Sequence, residues 1–347
     1  MKRRIMLVLL MALLLMLTAA AQAQRDGRIF VDSLGREVTV PQEITRVAVS
    51  GQMAQMAVFA LAPDRLVGIA NEWDPSAEQF LDAEYYHLPL LGQLYGGKGQ
   101  MNLETLLKAE AQVVIDVGEP KESAADDLDV LSAQTGIPFV HISAYIDGMD
   151  ETYKRLGELL GMEEEAAVLS RYCADVYQRT QQLMSSVEKA NLLYVTGEAG
   201  LNVIARDSYQ SAVIDMMSNN LAVLEHPTAR GTGNEVDMEQ ILNWNPAVVI
   251  FSTESIYADV TNDPLWGSVA AIQNGTYYEV PFGLENWMGF PPGVQRLLGM
   301  LWLGKALYPD AAQYDLYAEA ARYYELFYHC RLPQEQYDEL VKNSIGR

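Results

Sequence analysis

The sequence predicts an α/β protein of two Rossmann-like lobes joined by a single long α-helix. Three observations carry this expectation. Short apolar runs alternate with helical patterns on both sides of the chain's middle, as in parallel sheets covered on both faces. Residues 163–187 contain neither proline nor glycine, and Ala166, Leu169, Cys173, Val176, Thr180, Leu183 and Val187 fall at spacings of three and four, one stripe of a helix. Residues 101–115 (MNLETLLKAEAQVVI) align without a gap on residues 236–250 (VDMEQILNWNPAVVI), at an offset of 135 positions. One such helix–turn–strand unit on each side of a long helix points to two similar lobes rather than a solenoid, which needs at least three.

The elements follow in order. Residues 29–41 alternate around Asp32-Ser33-Leu34-Gly35 and read as a hairpin. Strands are expected at 46–50, 66–70, 88–91, 113–117 and 139–143, and helices from 52, at 102–109 and at 122–135. The helix at 163–187 would be about 37 Å long, enough to run along two lobes. Beyond it come a strand at 192–196, helices at 208–217 and 236–243, strands at 247–252 and 277–280, and closing helices at 294–307 and 311–328. The lobes are placed at 28–160 and 190–330, with 331–347 as a C-terminal tail.

The chain's start sets its compartment. Lys2, Arg3 and Arg4 precede an apolar run over residues 5–17, and Ala21-Gln22-Ala23 matches a small-residue cleavage site. This reads as a secretory signal peptide cut after Ala23. The run is short for a membrane span, which needs about 20 apolar residues. No cysteine follows it to take a lipid, so a soluble exported protein is expected. With 24 basic and 46 acidic residues the formal charge is −22, and loss of the three signal-segment cations brings it to −25. Nucleic acid and anionic membrane want a basic surface and are excluded as partners. No CxxC, HExxH, GxSxG or Walker-type loop is present. His87, His141, His226 and His329 form no pair at helical spacing. Neither a catalytic constellation, a metal cluster nor a cofactor emerges. Cys173, on the helical stripe, reads as a core residue; a disulfide to Cys330 stays open.

With these features together, the chain resembles the periplasmic substrate-binding proteins of the siderophore, haem and cobalamin class, which serve ABC importers. The carrying residues are Asp32-Ser-Leu-Gly-Arg-Glu-Val-Thr-Val-Pro41 with Thr45-Arg-Val-Ala-Val49, the repeated Asn/Asp-Leu/Met-Glu helix with its Val-Val-Ile strand, the long middle helix, and the run from Pro291-Pro-Gly-Val-Gln-Arg296 to Tyr308-Pro309. The resemblance covers the chain from the hairpin to the C-terminus. It implies a monomer without enzymatic activity, a ligand held between lobes that move little, and delivery to the importer's membrane subunits. Open α/β sheets independently bind ligands beyond the carboxyl ends of their strands.

Candidate contacts therefore sit in loops after strands. In the first lobe they are Trp73, which either walls a ligand or packs under its loop, Tyr145, and Tyr95 and Lys98 of the glycine-rich segment Gly92–Gly99. Glycines there can turn backbone N–H groups toward an anion. In the second lobe they are Arg206, Tyr209, Arg230 and Trp287, and Arg230 could grip an oxyanion or carboxylate two-pronged. An iron chelate of the siderophore type is the expected ligand. Haem, with Tyr209, His226 or Met288 as axial candidates, a corrinoid, or an oxoanion such as molybdate are the alternatives. An exported metal-cluster enzyme on a similar scaffold would need clustered cysteines. The resemblance also implies that Glu104 and Glu239, at matched places in the repeat, dock onto arginines of the importer.

Overall fold

A computed structural model describes residues 27–95, 100–228, 232–289 and 291–344. The signal segment expected at residues 1–23 lies outside them. The first hairpin pairs β1 (Arg28–Val31) with β2 (Glu37–Val40). Its turn is built on Asp32, whose buried carboxylate accepts from the backbone N–H groups of Leu34, Arg36 and His141 and pairs with the Arg36 guanidinium at 2.6 Å. Arg36 also donates to Phe139 O, so the turn is stitched to the strand beside it. Gly35, at φ 78°, takes the left-handed position that closes the turn.

The first lobe continues with β3 (Val47–Val49), α1 (Gln52–Leu61), α2 (Ala83–Tyr86), α3 (Leu103–Lys108), β4 (Val113–Gly118), α4 (Ala124–Thr135) and β5 (Phe139–Ser143). β3, β4 and β5 form a parallel sheet in that order. The strands expected at 66–70 and 88–91 are not full strands. They meet the sheet edge through single bridges, Val47 to Leu66 and Ile69 to Leu90. After α5 (Met149–Leu160), Gly161 at φ 62° reverses the chain into α6 (Glu163–Ser185). This is the expected bridging helix, unbroken and about 35 Å long. Glu163, Glu164 and Glu165 in its first turn suit the helix dipole. Its stripe is buried from Ala166 to Thr180, and Leu183 and Val187 are half-buried.

The second lobe holds β6 (Asn191–Thr196), β7 (Asn202–Val203), α7 (Ala212–Met217), β8 (Asn219–Asn220), β9 (Asn234–Glu235), α8 (Met238–Trp244), β10 (Val248–Phe251), α9 (Ala270–Gln273) and β11 (Tyr277–Glu279). β11, β10 and β6 are parallel neighbours; β6 also pairs with parallel β8 and antiparallel β7, and β9 pairs antiparallel with β7. The repeat is real in space. Val113 of β4 pairs with Val47, and its counterpart Val248 of β10 pairs with Leu192. The Asn/Asp position is the helix cap in both lobes: Asn102 accepts from Thr105 N and Asp237 from Gln240 N.

The pleat divides the core. Val47, Val49, Val113, Ile115, Leu192 and Ile250 face one continuous cluster that also takes in α6 and the closing helices α10 (Arg296–Leu307) and α11 (Leu316–Tyr328). Ala48, Val114 and Phe139 face a second cluster, and Leu193, Val195 and Phe251 a third. α11 belongs to the second lobe in sequence but packs on α1 of the first, with His329 Nε2 3.0 Å from Phe59 O. The lobes are thus braced twice, by α6 and by this return. The final stretch, expected as a tail, forms α12 (Gln334–Val341) and is pinned by Trp302 Nε1 donating to Ser344 O at 2.7 Å. Both cysteines are free, and burial raises the Cys330 thiol to about 12.

Candidate functional site

Residues that follow strands of the first lobe meet the second lobe: Gln52 after β3 bonds to Glu285, and Ala144 after β5 to Tyr209. From the first lobe come Ser50 and Gln52 after β3, Asn71, Gln93, Asp116 in β4 and Tyr145 after β5. From the second come Tyr209 and Glu285. Hydrogen bonds cross the seam here: Tyr209 Oη donates to Ala144 O at 2.5 Å, Gln52 Nε2 to Glu285 Oε1 at 2.7 Å, and Ser76 Oγ to Gly283 O at 3.0 Å.

Arg296, the first residue of α10, is the centre of the site. Its side chain is wholly buried. Nη1 donates to Tyr209 O at 3.0 Å, Nε reaches Gly293 O at 3.4 Å, and the guanidinium carbon stands 5.0 Å from the centre of the Tyr209 ring. Nη2 has no partner, and no carboxylate pairs with the group among the described residues. Desolvation lowers its pKa, opposed by Tyr209, but an arginine stays charged in a protein. The loop before α10 closes tightly on the arginine stem. A Cβ on Gly289, at φ 86°, would lie 2.6 Å from Arg296 Cγ, so only glycine fits there.

Beside this cation lies a cavity of about 210 Å³ lined by Tyr145, Asp147, Tyr177 of α6, Tyr209, Met216 and Arg296 among others. The Tyr145 and Tyr209 rings meet edge to face at 6.2 Å. Asp147 is solvent-exposed at the rim, where water screens its charge far better than the interior screens that of Arg296. Glu285 is buried too. Desolvation raises its carboxyl to about 8, against the pull of the Gln52 hydrogen bond, so at neutral pH it adds little negative charge to the seam. Gln52 is itself held by Asn71 at 2.9 Å, and Asn71 by Gln93.

The structure sorts the expected contacts. Tyr145 and Tyr209 come together at the cavity. Trp73 packs in the interior, edge-on to Phe59, with its indole N–H spent on Tyr85 O. Trp287 is likewise buried, its backbone oxygen so near α10 that a Cβ on Gly299 would come within 2.2 Å. Large aromatics gain most by full burial, and that overrides their position after strands. Arg206 braces its own lobe, donating to Asn219 Oδ1 at 2.9 Å and to Asn220 O. Tyr95 is tied to Asp127 at 3.0 Å with Lys121 3.9 Å from its ring centre. Lys98 and Arg230 lie outside the described residues. Glu104 and Glu239 are both exposed; Glu104 pairs with Lys108 at 2.7 Å, and Glu239 has no ion pair among the described residues. Sequence reasoning missed Arg296, although an arginine heading an otherwise apolar helix is itself the signal that a buried charge needs a partner.

The first lobe carries a second polar cluster. Asp116 accepts from Ser50 Oγ and lies 2.7 Å from His141 Nδ1, while His141 Nε2 is 3.4 Å from Ser143 Oγ. All of its acceptors and donors are satisfied internally, which makes it a strand-end brace.

Comparison with known proteins gives a consistent picture. Residues 47–283 match the family described as periplasmic binding protein. The molybdate-binding protein MolA of Haemophilus influenzae is 27% identical over 332 residues, which covers 87% of this chain and 91% of that protein. Its solved structure with molybdate superposes with a TM-score of 0.70 at 22% identity, covering 88% of this chain and 99% of that one. An ABC transporter solute binding protein from Sulfurospirillum deleyianum reaches a TM-score of 0.82 at 26% identity, over 91% of this chain and 99% of that one. The catecholate-siderophore binding protein VctP from Vibrio cholerae reaches 0.57 at 18%, over 79% and 99%.

Proposed function

The chain belongs to the periplasmic binding protein family, as a solute-binding component of an ABC importer and not an enzyme, and we propose that its ligand is a small oxyanion of the molybdate class held between the lobes. The observation that carries this reading is Arg296: a fully buried guanidinium at a cavity, with one nitrogen unpartnered and no carboxylate paired with it among the described residues, Asp147 standing exposed at the rim. A buried charge without a counter-charge costs several kcal/mol, and an oxyanion offers the charge and the oxygen acceptors that would satisfy it. Size supports the same choice. The cavity of about 210 Å³ beside Arg296 has room for a small tetrahedral oxyanion. The relationship to a molybdate-binding protein agrees.

In this reading residues 1–23 export the chain, Arg296 binds the anion, Tyr145 and Tyr209 wall it, and the lobes stay braced by α6 and α11. Glu104 and Glu239 start α3 and α8. In a parallel lobe helix starts lie on the same edge as the strand ends, and in this reading both exposed carboxylates meet basic residues on the importer. Calorimetric titration with molybdate, sulfate and a ferric catecholate tests the ligand. Molybdate should bind the natural protein and not Arg296→Met. Binding of the catecholate without binding of molybdate would overturn the reading.

A further inference from the structure

The two repeated helices turn the same pair of side chains outward. On α3 these are Glu104 and Leu107, the leucine 50% exposed. On α8 they are Glu239 and Leu242, the leucine 38% exposed. The residue before each leucine, Leu106 or Ile241, is completely buried. Each helix is therefore already anchored, and the leucine is not a strayed member of the core stripe. Four residues earlier, Leu103 and Met238 are partly buried at the edge of their cores. Side chains four apart are neighbours on a helix. Each helix thus presents a two-residue apolar ridge beside a carboxylate.

Single exposed leucines are ordinary on a protein surface. What is not ordinary is their recurrence at one register in two lobes whose neighbouring positions differ: Thr105 against Gln240, Lys108 against Asn243, Ala109 against Trp244. Two copies of one patch fit a partner with two equivalent halves. Glu239 has no ion pair among the described residues and Glu104 has only the exposed Lys108 of its own helix, so the acids suit a basic complement and the apolar ridge an apolar socket.

We propose that Leu103–Leu107 and Met238–Leu242 are matched apolar docking ridges, each seated in an apolar socket bordered by a basic side chain on one half of the importer's membrane-embedded dimer. The inference rests on the docking reading of α3 and α8 and adds to it the groups that supply the contact's apolar area, where rim charges mainly govern encounter.

The test measures binding of the full protein to its importer in lipid nanodiscs, with Leu107→Ser, Leu242→Ser and the double variant beside Glu104→Gln and Glu239→Gln. Each leucine variant should raise the dissociation constant about tenfold, the scale of one leucine lost from an apolar contact, and the double variant roughly by the product. Thermal unfolding should stay within a few degrees of the natural protein, because both leucines are exposed. A double leucine variant that binds like the natural protein, while the glutamate variants weaken, discards the ridges and leaves the acids. Weakened leucine variants with unaffected glutamate variants keep the ridges and discard the acid reading.

Discussion

The two lobes share a skeleton and differ in how they treat charge. In each, an Asn or Asp cap starts a short helix that leads into a buried strand paired in parallel with its neighbour. The first lobe ends its strands over a satisfied carboxylate, Asp116, bonded to Ser50 and His141. The second brings a cation to the seam and leaves one of its nitrogens unpartnered. A buried charge with its partners in place holds structure, whereas one without them is a standing cost that a ligand can remove. Duplication thus supplies the scaffold, and the departure from duplication supplies the site.

The largest expected effect breaks this comparison most directly. Arg296→Met should abolish molybdate binding by about a thousandfold, since breaking a buried charge pair costs roughly 3–5 kcal/mol. The same variant should unfold at a temperature a few degrees higher than the natural protein when no ligand is present, because it removes the unbalanced charge. Calorimetry without and with molybdate reads both. A lower unliganded melting temperature would mean that the guanidinium is already satisfied, and the contrast between the lobes would fail.

Much of this arrangement is legible in the sequence, and the reasons for the rest are physical. The repeat and the stripe from Ala166 to Thr180 depend on local periodicity, which a chain shows along itself. The segments at 66–70 and 88–91 look like strands by composition, but a strand needs a partner along its length, and these touch the sheet through single bridges. The apolar face of α11 announces that it buries something, not that it crosses to α1 of the other lobe. Trp73 and Trp287 follow strands, as a ligand wall would, yet both fill cores. Arg296 stood in the Pro-Pro-Gly-Val-Gln-Arg run but read as the start of a closing helix. Its meaning depends on which acids surround it, and that is a tertiary fact.

The next effect sharpens the comparison through pH. Glu285, the second lobe's partner for Gln52, has its carboxyl raised from 4.5 to about 8, chiefly by burial. Between those values the folded protein holds a proton that the unfolded chain has released. Stability is then full below about pH 4.5 and is lost as pH rises toward 8, by an amount on the order of 4 kcal/mol. Glu285→Gln keeps an acceptor for Gln52 and cannot ionise, so its unfolding free energy should be flatter over this range in denaturant titrations. An equal slope in both proteins would show that Glu285 ionises freely in the folded state. In the first lobe, Asp116→Ala should instead cost about 2 kcal/mol through lost hydrogen bonds and an orphaned imidazole, measured as a lower urea midpoint with an unchanged slope.

The smallest effect compares the lobes at matched atoms. Asn102 and Asp237 do the same work, each accepting from the backbone N–H three residues on. Replacing either by alanine should cost about 1 kcal/mol. The two caps differ in one respect, since Asp237 is charged and Asn102 is not. A negative charge at a helix start gains about 0.3–1 kcal/mol from the dipole at low ionic strength, and salt screens that gain. Asp237→Ala should therefore cost more than Asn102→Ala in dilute buffer, and the two costs should converge in about 1 M salt, where the Debye length is about 3 Å. Urea unfolding of both variants at two salt concentrations reads the difference. Equal costs at low salt would mean that the carboxylate acts at α8 through its hydrogen bond alone, as the neutral amide does at α3. The duplicated units would then be equivalent even in their electrostatics, and the charge asymmetry between the lobes would begin only at the seam.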